Sequence, residues 1–170
     1  MLTNLCQFID KTNAYIGKIV AYGTLLMAVI MFSVVVLRYG FNLGWIAMQE
    51  SITYLHAAVF LLGSAYTYQQ NGHVRVDVFY RRFSPKGKTL VDLFGCVFFM
   101  LPVSLYIAIT CWPYVMESWQ LFEGSREPGG LPYLYVLKSF LLIFSITMVL
   151  QSISEIVKHC ISLFAKNRLL

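Results

Sequence analysis

Charged residues are scarce in this sequence, and four long segments contain none. Only 12% of the 170 residues are charged, whereas a soluble domain carries about 25%. The uncharged segments have 19, 18, 24 and 16 residues and are Ile19–Leu37, Ser51–Tyr68, Leu93–Met116 and Ser139–Ser154. Too few side chains are polar to cover a surface that faces water, so the composition excludes a soluble globular domain.

The uncharged segments have the length of membrane-spanning helices. About 20 apolar residues cross the roughly 30 Å hydrocarbon layer as a helix, and the first three segments meet this length. The fourth is short, but uncharged residues precede it and Lys138 can reach an interface. We therefore predict an all-α integral membrane protein, one membrane domain over residues 1–170. Its four transmembrane helices should lie at about 14–37, 50–69, 91–115 and 132–157.

Motifs that carry enzyme chemistry are missing. The sequence has no phosphate-binding Gly-rich loop, no zinc-ligand spacing and no Gly-x-Ser-x-Gly motif. Its four cysteines follow no metal spacing, and small apolar side chains of this kind commonly fill gaps in packing. The sequence therefore predicts neither an enzyme nor a bound cofactor or metal.

Deep membrane charges are also missing, with one histidine as the partial exception. A transporter that binds its own substrate usually places an acid or a base deep in the membrane, and no predicted span has a charge in its middle third. His56 lies inside the second span, a turn or two from its outer end. A haem-binding or quinone-site membrane anchor of a redox complex is therefore the alternative. No second histidine shares this depth, so we expect a packed, hydrogen-bonded neutral His56. A self-assembling structural protein is the third possibility.

Basic residues are distributed unequally between the predicted loops. Ten lie in the N-terminal arm, the second loop and the tail, and three lie in the other two loops. The positive-inside rule then places both termini and the second loop in the cytoplasm. The net charge of +5 is explained by this topology and by contact with anionic membrane lipids, without nucleic acid. The two sets are Lys11, Lys18, Arg75, Arg81, Arg82, Lys86, Lys88, Lys158, Lys166 and Arg168, and then Arg38, Arg126 and Lys138.

Short interfacial amphipathic helices are predicted beside the spans. One should precede the first span, because Leu2, Leu5, Phe8 and Ile9 share a helical face. A second should follow a turn in the loop of residues 71–79 and should end at the helix-breaking segment of residues 84–87.

Three packing features can be read from the spans themselves. Small residues at Gly17, Ala21, Thr24 and Ala28 form a candidate helix–helix seam. The second span is the most polar, so it should be the most buried. Pro102 removes a backbone hydrogen bond from the third span and should kink it.

Two charged residues should lie at similar depth near the outer ends of the first two spans. Arg38 ends the first span, and Glu50 begins the second. They either pair with each other or each reach water.

Five motifs, in order along the chain, resemble the small membrane subunit of tripartite ATP-independent periplasmic (TRAP) transporters. Their order and their placement relative to four spans make the resemblance specific, and it runs over most of the chain. The motifs are Val36–Asn42, Trp45 with Gln49 and Glu50, Gly63–Tyr66, Gly72–Asp77, and Pro128–Pro132.

The resemblance implies a non-catalytic scaffold subunit in the bacterial inner membrane. Its partner would be a large membrane subunit that holds the substrate and sodium sites and moves as an elevator. A periplasmic substrate-binding protein would capture an organic acid or similar solute and dock on the outer face. The sequence agrees, because it lacks the broken helices and midplane polar sites of a transport core.

Carried onto this chain, the resemblance names two sets of residues. The outer acids could meet the docking protein, and they are Glu117, Glu123 and Glu127. The candidates for structural or subunit contacts are Arg38, Trp45, Glu50, His73, Arg75, Asp77, Gly129, Gly130 and Pro132. For the basic residues at 81–88, setting the topology alone is an equally open role.

Overall fold

The computed structural model describes residues 2–73 and 77–167, and the predicted all-α class is confirmed there. Within these ranges the chain forms helices and no strand. The helices are α1 (Leu2–Phe41), α2 (Ile46–Gln69), α3 (Asp77–Tyr80), α4 (Pro85–Gly95), a π-helical turn (Cys96–Met100), α5 (Leu101–Gln120) and α6 (Leu134–Asn167).

Three helical segments are long and apolar enough to cross a membrane. They are Leu2–Phe41, Pro85–Gln120 and Leu134–Phe164, so the chain is a multi-pass membrane protein. The predicted second span corresponds to α2, whose 24 residues give a length of about 36 Å. It is not among the three, and polar residues such as Gln49, Glu50 and His56 lower its hydropathy.

The separate interfacial helix predicted before the first span does not exist. α1 is continuous from Leu2 to Phe41. Its buried residues Cys6, Ile9, Asn13 and Gly17 recur at helical spacing, and this stripe packs against α6 and then α2. Of the predicted apolar face, Ile9 is buried, but Leu2, Leu5 and Phe8 are exposed. The face that packs on α6 is therefore not the predicted one, and the prediction of a separate helix was wrong.

Asparagines end both α1 and α2. Asn42 has φ 54°, and the Leu43 amide donates to the Leu37 carbonyl at 3.0 Å. Asn71 has φ 55°, and the Gly72 amide donates to the Thr67 carbonyl at 2.8 Å. Asparagine tolerates this left-handed backbone better than most residues, so both turns are encoded locally.

The predicted seam on α1 is correct only at Gly17. A Cβ at Gly17 would overlap the Tyr66 side chain of α2, so the two helices touch there. Ala21, Thr24 and Ala28 are exposed. Contact with α2 continues instead through Gly23, where a Cβ would lie 2.9 Å from Val59.

The centre of the bundle is α6, and the prediction that α2 would be the most buried was wrong. α6 contacts α1, α2, α4, the π-helical turn and α5, whereas Ala65 is the fully buried residue of α2. α6 can approach so many neighbours because its buried residues include small hydroxyls. Ser145 and Ser152 donate to the Leu142 and Met148 carbonyls at 3.0 and 2.7 Å, which satisfies them inside their own helix.

A serine cap and a proline mark the start of the third span, and a π-helical turn interrupts it. Ser84 caps α4 by accepting from the Gly87 amide at 3.2 Å, and Pro85 occupies the first turn. The π-helical turn comes directly before Pro102, and the Leu101 amide there donates to the Cys96 carbonyl. A kink at Pro102 stays a prediction, and the structure shows the π-helical turn beside it. The helix then continues through Pro113 to Gln120.

Candidate functional site

Glu50 ties α2 to the connection between α5 and α6. Its Oε1 accepts a hydrogen bond from the Ser125 hydroxyl, and its Oε2 accepts from the Leu131 amide at 2.6 Å. Ser125 and Leu131 also join each other, because the Ser125 amide donates to the Leu131 carbonyl at 3.0 Å. One carboxylate near the start of α2 therefore holds both sides of the α5–α6 loop.

The loop has its shape because of the Pro-Gly-Gly sequence. The Gly130 amide donates to the Glu127 carbonyl at 3.0 Å, and Gly129 has φ 79°. Pro128 then occupies the second position and Gly129 the third position of a type II turn, which these residues favour. A Cβ at Gly130 would lie 2.8 Å from Glu50 Oε2. The first glycine is needed for the turn, and the second for the approach of the carboxylate.

A second acid joins the loop to α6. Glu123 accepts from the Lys138 ammonium and, at 2.7 Å, from the Ser118 hydroxyl. These hydrogen bonds hold the pKa of the Glu123 carboxyl below its ordinary value of 4.5. The Lys138 ammonium also lies 4.0 Å from the centroid of the Tyr114 ring. Lys138 thus neutralises Glu123 directly.

Arg38 and Glu50 do not form the ion pair that the sequence left open. Glu50 binds the loop, and no ion pair joins it to Arg38 in the part of the chain that the structure describes. Arg38 lies exposed in the last turn of α1. Trp45 is the residue before α2 and is 66% exposed.

A polar cluster at the opposite end of the bundle escaped the sequence analysis. Gln151 of α6 is 0% exposed, and its oxygen accepts from the Asn13 amide at 2.8 Å. Its nitrogen donates to Asp10 at 3.1 Å and to Glu155 at 2.9 Å. Lys158 lies 2.7 Å from Asp10 and 2.8 Å from Glu155. These five residues, the α1–α6 clasp, join the two ends of the described chain.

The clasp had a signal in the sequence, although a weak one. Asp10 and Asn13 are three residues apart, and Gln151, Glu155 and Lys158 follow at steps of four and three. Such steps place side chains on one helix face. The signal was missed because 138 residues separate Asn13 from Gln151, and the spacing within each helix does not show that the two helices are neighbours.

Comparison with known proteins decides the family. Residues 27–160 match the model of the DctQ component of tripartite ATP-independent periplasmic transporters. The chain belongs to this family. A Haemophilus influenzae protein whose name describes it as a TRAP transporter small permease protein is 28% identical over 142 residues, which are 78% of this chain and 81% of that protein. No solved structure matches the chain. The resemblance to the TRAP small subunit is confirmed.

The second and fifth motifs of this DctQ chain meet in space, and the fourth lies apart from them. Glu50 from the second motif contacts the loop that carries Gly130. His73 lies beyond the other end of α2 and is exposed, with its ring 5.7 Å from that of Tyr68. Arg75 and the side chain of Asp77 lie outside the described residues.

The three acids predicted to meet a docking protein differ in how free they are. Glu123 is held by Lys138 and Ser118. Glu117 is exposed in the last turn of α5, so it does not belong to the loop as predicted. Glu127 is exposed beside the type II turn. Glu117 and Glu127 therefore have carboxylates without a partner among the described residues.

His56 is exposed, and the expected packed, hydrogen-bonded environment was wrong. Its ring stacks on Phe60 with centroids 6.3 Å apart and planes 14° apart. No described residue forms a hydrogen bond with it. The family of this chain does not favour the haem or quinone alternative, and His56 needs another explanation.

Proposed function

We propose that the chain is the fixed scaffold subunit of a TRAP transporter, bound to a large elevator-type membrane subunit. The complex would carry out sodium-driven uptake of an organic acid or similar solute, delivered by a periplasmic binding protein. The family supports the general role. The exposed side chain of His56 supports a partner protein within the membrane.

His56 would lie inside the hydrocarbon layer if α2 crosses the membrane. Six residues separate it from Glu50, which meets the α5–α6 loop, and this is about 9 Å at 1.5 Å per residue. The hydrocarbon layer is about 30 Å thick. An exposed imidazole at that depth would face lipid without a hydrogen-bond partner, which is unfavourable. A transmembrane helix of the large subunit that offers a hydrogen-bonding group would remove this cost.

The proposed topology has four spans, including α2, with both termini in the cytoplasm of a bacterium. The contacts support it, because Glu50 at the start of α2 meets the α5–α6 loop, while Asp10 and Lys158 meet at the opposite end. Chain ends that share one side require an even number of crossings.

Within this proposal, the outer face of the subunit guides the binding protein. Glu117 and Glu127 are exposed there, and Glu123 is engaged with Lys138. We propose that the first two acids contact the docking protein, while Glu50, Gly129, Gly130 and Pro132 shape the loop that presents them. Arg38 and Trp45 remain candidate contacts with the large subunit. His73, Arg75 and Asp77 remain candidates on the inner side.

Co-purification with the large subunit tests the proposal. The two chains, expressed together, should leave the membrane as one complex in mild detergent. His56→Leu should reduce the recovered large subunit. Tyr22→Leu is the matched control, because Tyr22 is a polar-tipped side chain of α1 that is 77% exposed. A chain that stays alone in detergent and transports solute in liposomes would overturn the proposal.

A further inference from the structure

An open groove of about 680 Å³ lies between α2 and the helix that runs from α4 through the π-helical turn. Its volume is within the roughly 300–1,000 Å³ of pockets that hold small molecules. α6 forms its floor through Phe144 and Met148, and Phe60 and Phe99 form its walls. Phe60 and Phe99 are 69% and 63% exposed, so the groove opens sideways, toward the region that lipid would occupy.

The polarity of the groove changes along its length. Tyr68, His73, Tyr80 and Asp92 line the end near the connection between α2 and α4. The Tyr80 hydroxyl donates to Asp92 Oδ2 at 2.7 Å. The rest of the groove is lined mainly by aromatic and methionine side chains. A groove with one polar end and a long apolar remainder matches an amphipathic ligand that enters from the membrane.

The polar end carries one acid, Asp92, which accepts from the Tyr80 hydroxyl, and the basic residues that flank it outnumber it. Arg81 and Arg82 lie between Tyr80 and Phe83, which both line the groove, and residues 81–88 contain four basic residues and no acid. The Lys88 ammonium is 5.4 Å from the centroid of the Tyr80 ring, so a cation lies beside the polar end of the groove. Basic side chains at this position attract an anionic headgroup and can extend their stems along apolar surface.

We propose that this groove binds a phospholipid whose headgroup carries a net negative charge. The acyl chains lie against Phe60, Phe99 and Phe144, and the phosphate lies near Arg82 and Lys88. In the membrane orientation of the proposed function, on which this inference rests, the lipid belongs to the cytoplasmic leaflet. It would stabilise the inner half of the bundle, where α2 and α4 leave a gap over α6.

Gly95 permits a test that fills the groove without disturbing the protein. It lines the groove, and a Cβ at Gly95 would meet nothing within 4 Å. Gly95→Leu therefore places a bulky side chain where the acyl chains would lie. Gly40→Leu is the matched control, because a Cβ there also meets nothing and Gly40 is far along α1 from the groove.

The measurement is native mass spectrometry of the full chain, alone and co-expressed with the large subunit. Both samples are first exchanged into detergent with equal amounts of phosphatidylglycerol and phosphatidylethanolamine. The unchanged chain and Gly40→Leu should retain a single phosphatidylglycerol. Gly95→Leu should lose it while it keeps its helix content by circular dichroism.

Charge removal tests the headgroup separately. Arg82→Gln with Lys88→Gln should lower the preference for phosphatidylglycerol over phosphatidylethanolamine by about tenfold or more, since each surface cation contributes to attraction. The matched control is Lys11→Gln with Lys18→Gln, which removes two exposed cations of α1 and should leave the preference unchanged.

Two outcomes would overturn the lipid proposal. In the first, Gly95→Leu retains as much phosphatidylglycerol as the unchanged chain. In the second, Gly95→Leu no longer co-purifies with the large subunit, whereas the isolated Gly95→Leu chain keeps its lipid. A partner helix would then occupy the groove. Failure of the scaffold function would look different, because the unchanged chain would then not bind the large subunit at all.

Discussion

Glu50 shows how one side chain can organise a region that is distant in sequence. The sequence pointed to Glu50 through its position before the second span, and the structure gives its partners as Ser125 and Leu131. Those partners could not be derived from the sequence, because 75 and 81 residues separate them from Glu50. The turn was easier to predict. Pro128 and Gly129 specify a type II turn by their own backbone preferences.

Glu50→Gln should release the α5–α6 loop. A carboxylate accepts from both Ser125 and Leu131, whereas a carboxamide has one acceptor oxygen and leaves one donor without a partner. The loop should then be cleaved faster by a protease added to membranes with the outer face accessible. Glu117→Gln, the same change at an exposed acid, should leave the cleavage rate unchanged. Equal rates for both variants would mean that Glu50 does not hold the loop.

Of the glycines at which an added Cβ would meet the neighbouring helix, Gly17 marks the closest approach of α1 and α2. Gly17→Ala should destabilise the bundle by about 1–3 kcal/mol, because the added methyl group must displace Tyr66. Alanine has the higher helix propensity, so Gly40→Ala should be neutral or stabilise by up to about 1 kcal/mol. Thermal unfolding in detergent measures both. A Gly17→Ala chain as stable as Gly40→Ala would show that the seam is loose.

At the scale of elements, the long uncharged segments predicted where the helices lie, but not which helices pack against each other. The uncharged segments located α1, α2, α5 and α6, whereas residues 84–87, predicted to break a helix, form the cap and first turn of α4. The predicted order of burial among the helices was wrong, because the polarity of each helix was taken as the measure of its burial. α6 is the most buried although it is long and apolar, since its small hydroxyl residues let neighbouring helices come close.

The α1–α6 clasp gives a prediction about how these two helices stay together. Gln151→Leu removes the partner of the Asn13 amide and one partner of Asp10. The cost should be about 1–3 kcal/mol, because a buried donor is left without an acceptor. Thermal unfolding should show the loss, and disulfide trapping between the ends of α1 and α6 should slow. Gln120→Leu, at an exposed position that ends α5, is the control and should change neither measurement.

At the scale of the whole molecule, the low charge content predicted a multi-pass membrane protein, and the motif order predicted its family. Both followed from the sequence. The surrounding solvent determines which composition a chain needs, and each motif lies within a short segment. Arrangement was less predictable. Whether α2 crosses the membrane depends on whether its neighbours compensate residues such as His56, and those neighbours are set by tertiary and subunit contacts that one sequence does not state.

Labelling from one side of the membrane decides whether α2 is a fourth span. In a chain whose four native cysteines are replaced by alanine, Gly44→Cys lies before α2, and Gln70→Cys lies directly after it. An impermeant maleimide added to spheroplasts should modify Cys at position 44 and should reach position 70 only after the membrane is opened. If both positions are modified from the same side, α2 does not cross the membrane. The positive-inside assignment of the second loop to the cytoplasm would then be wrong as well. Opposite sides would place His56 inside the hydrocarbon layer, where an exposed imidazole requires a partner.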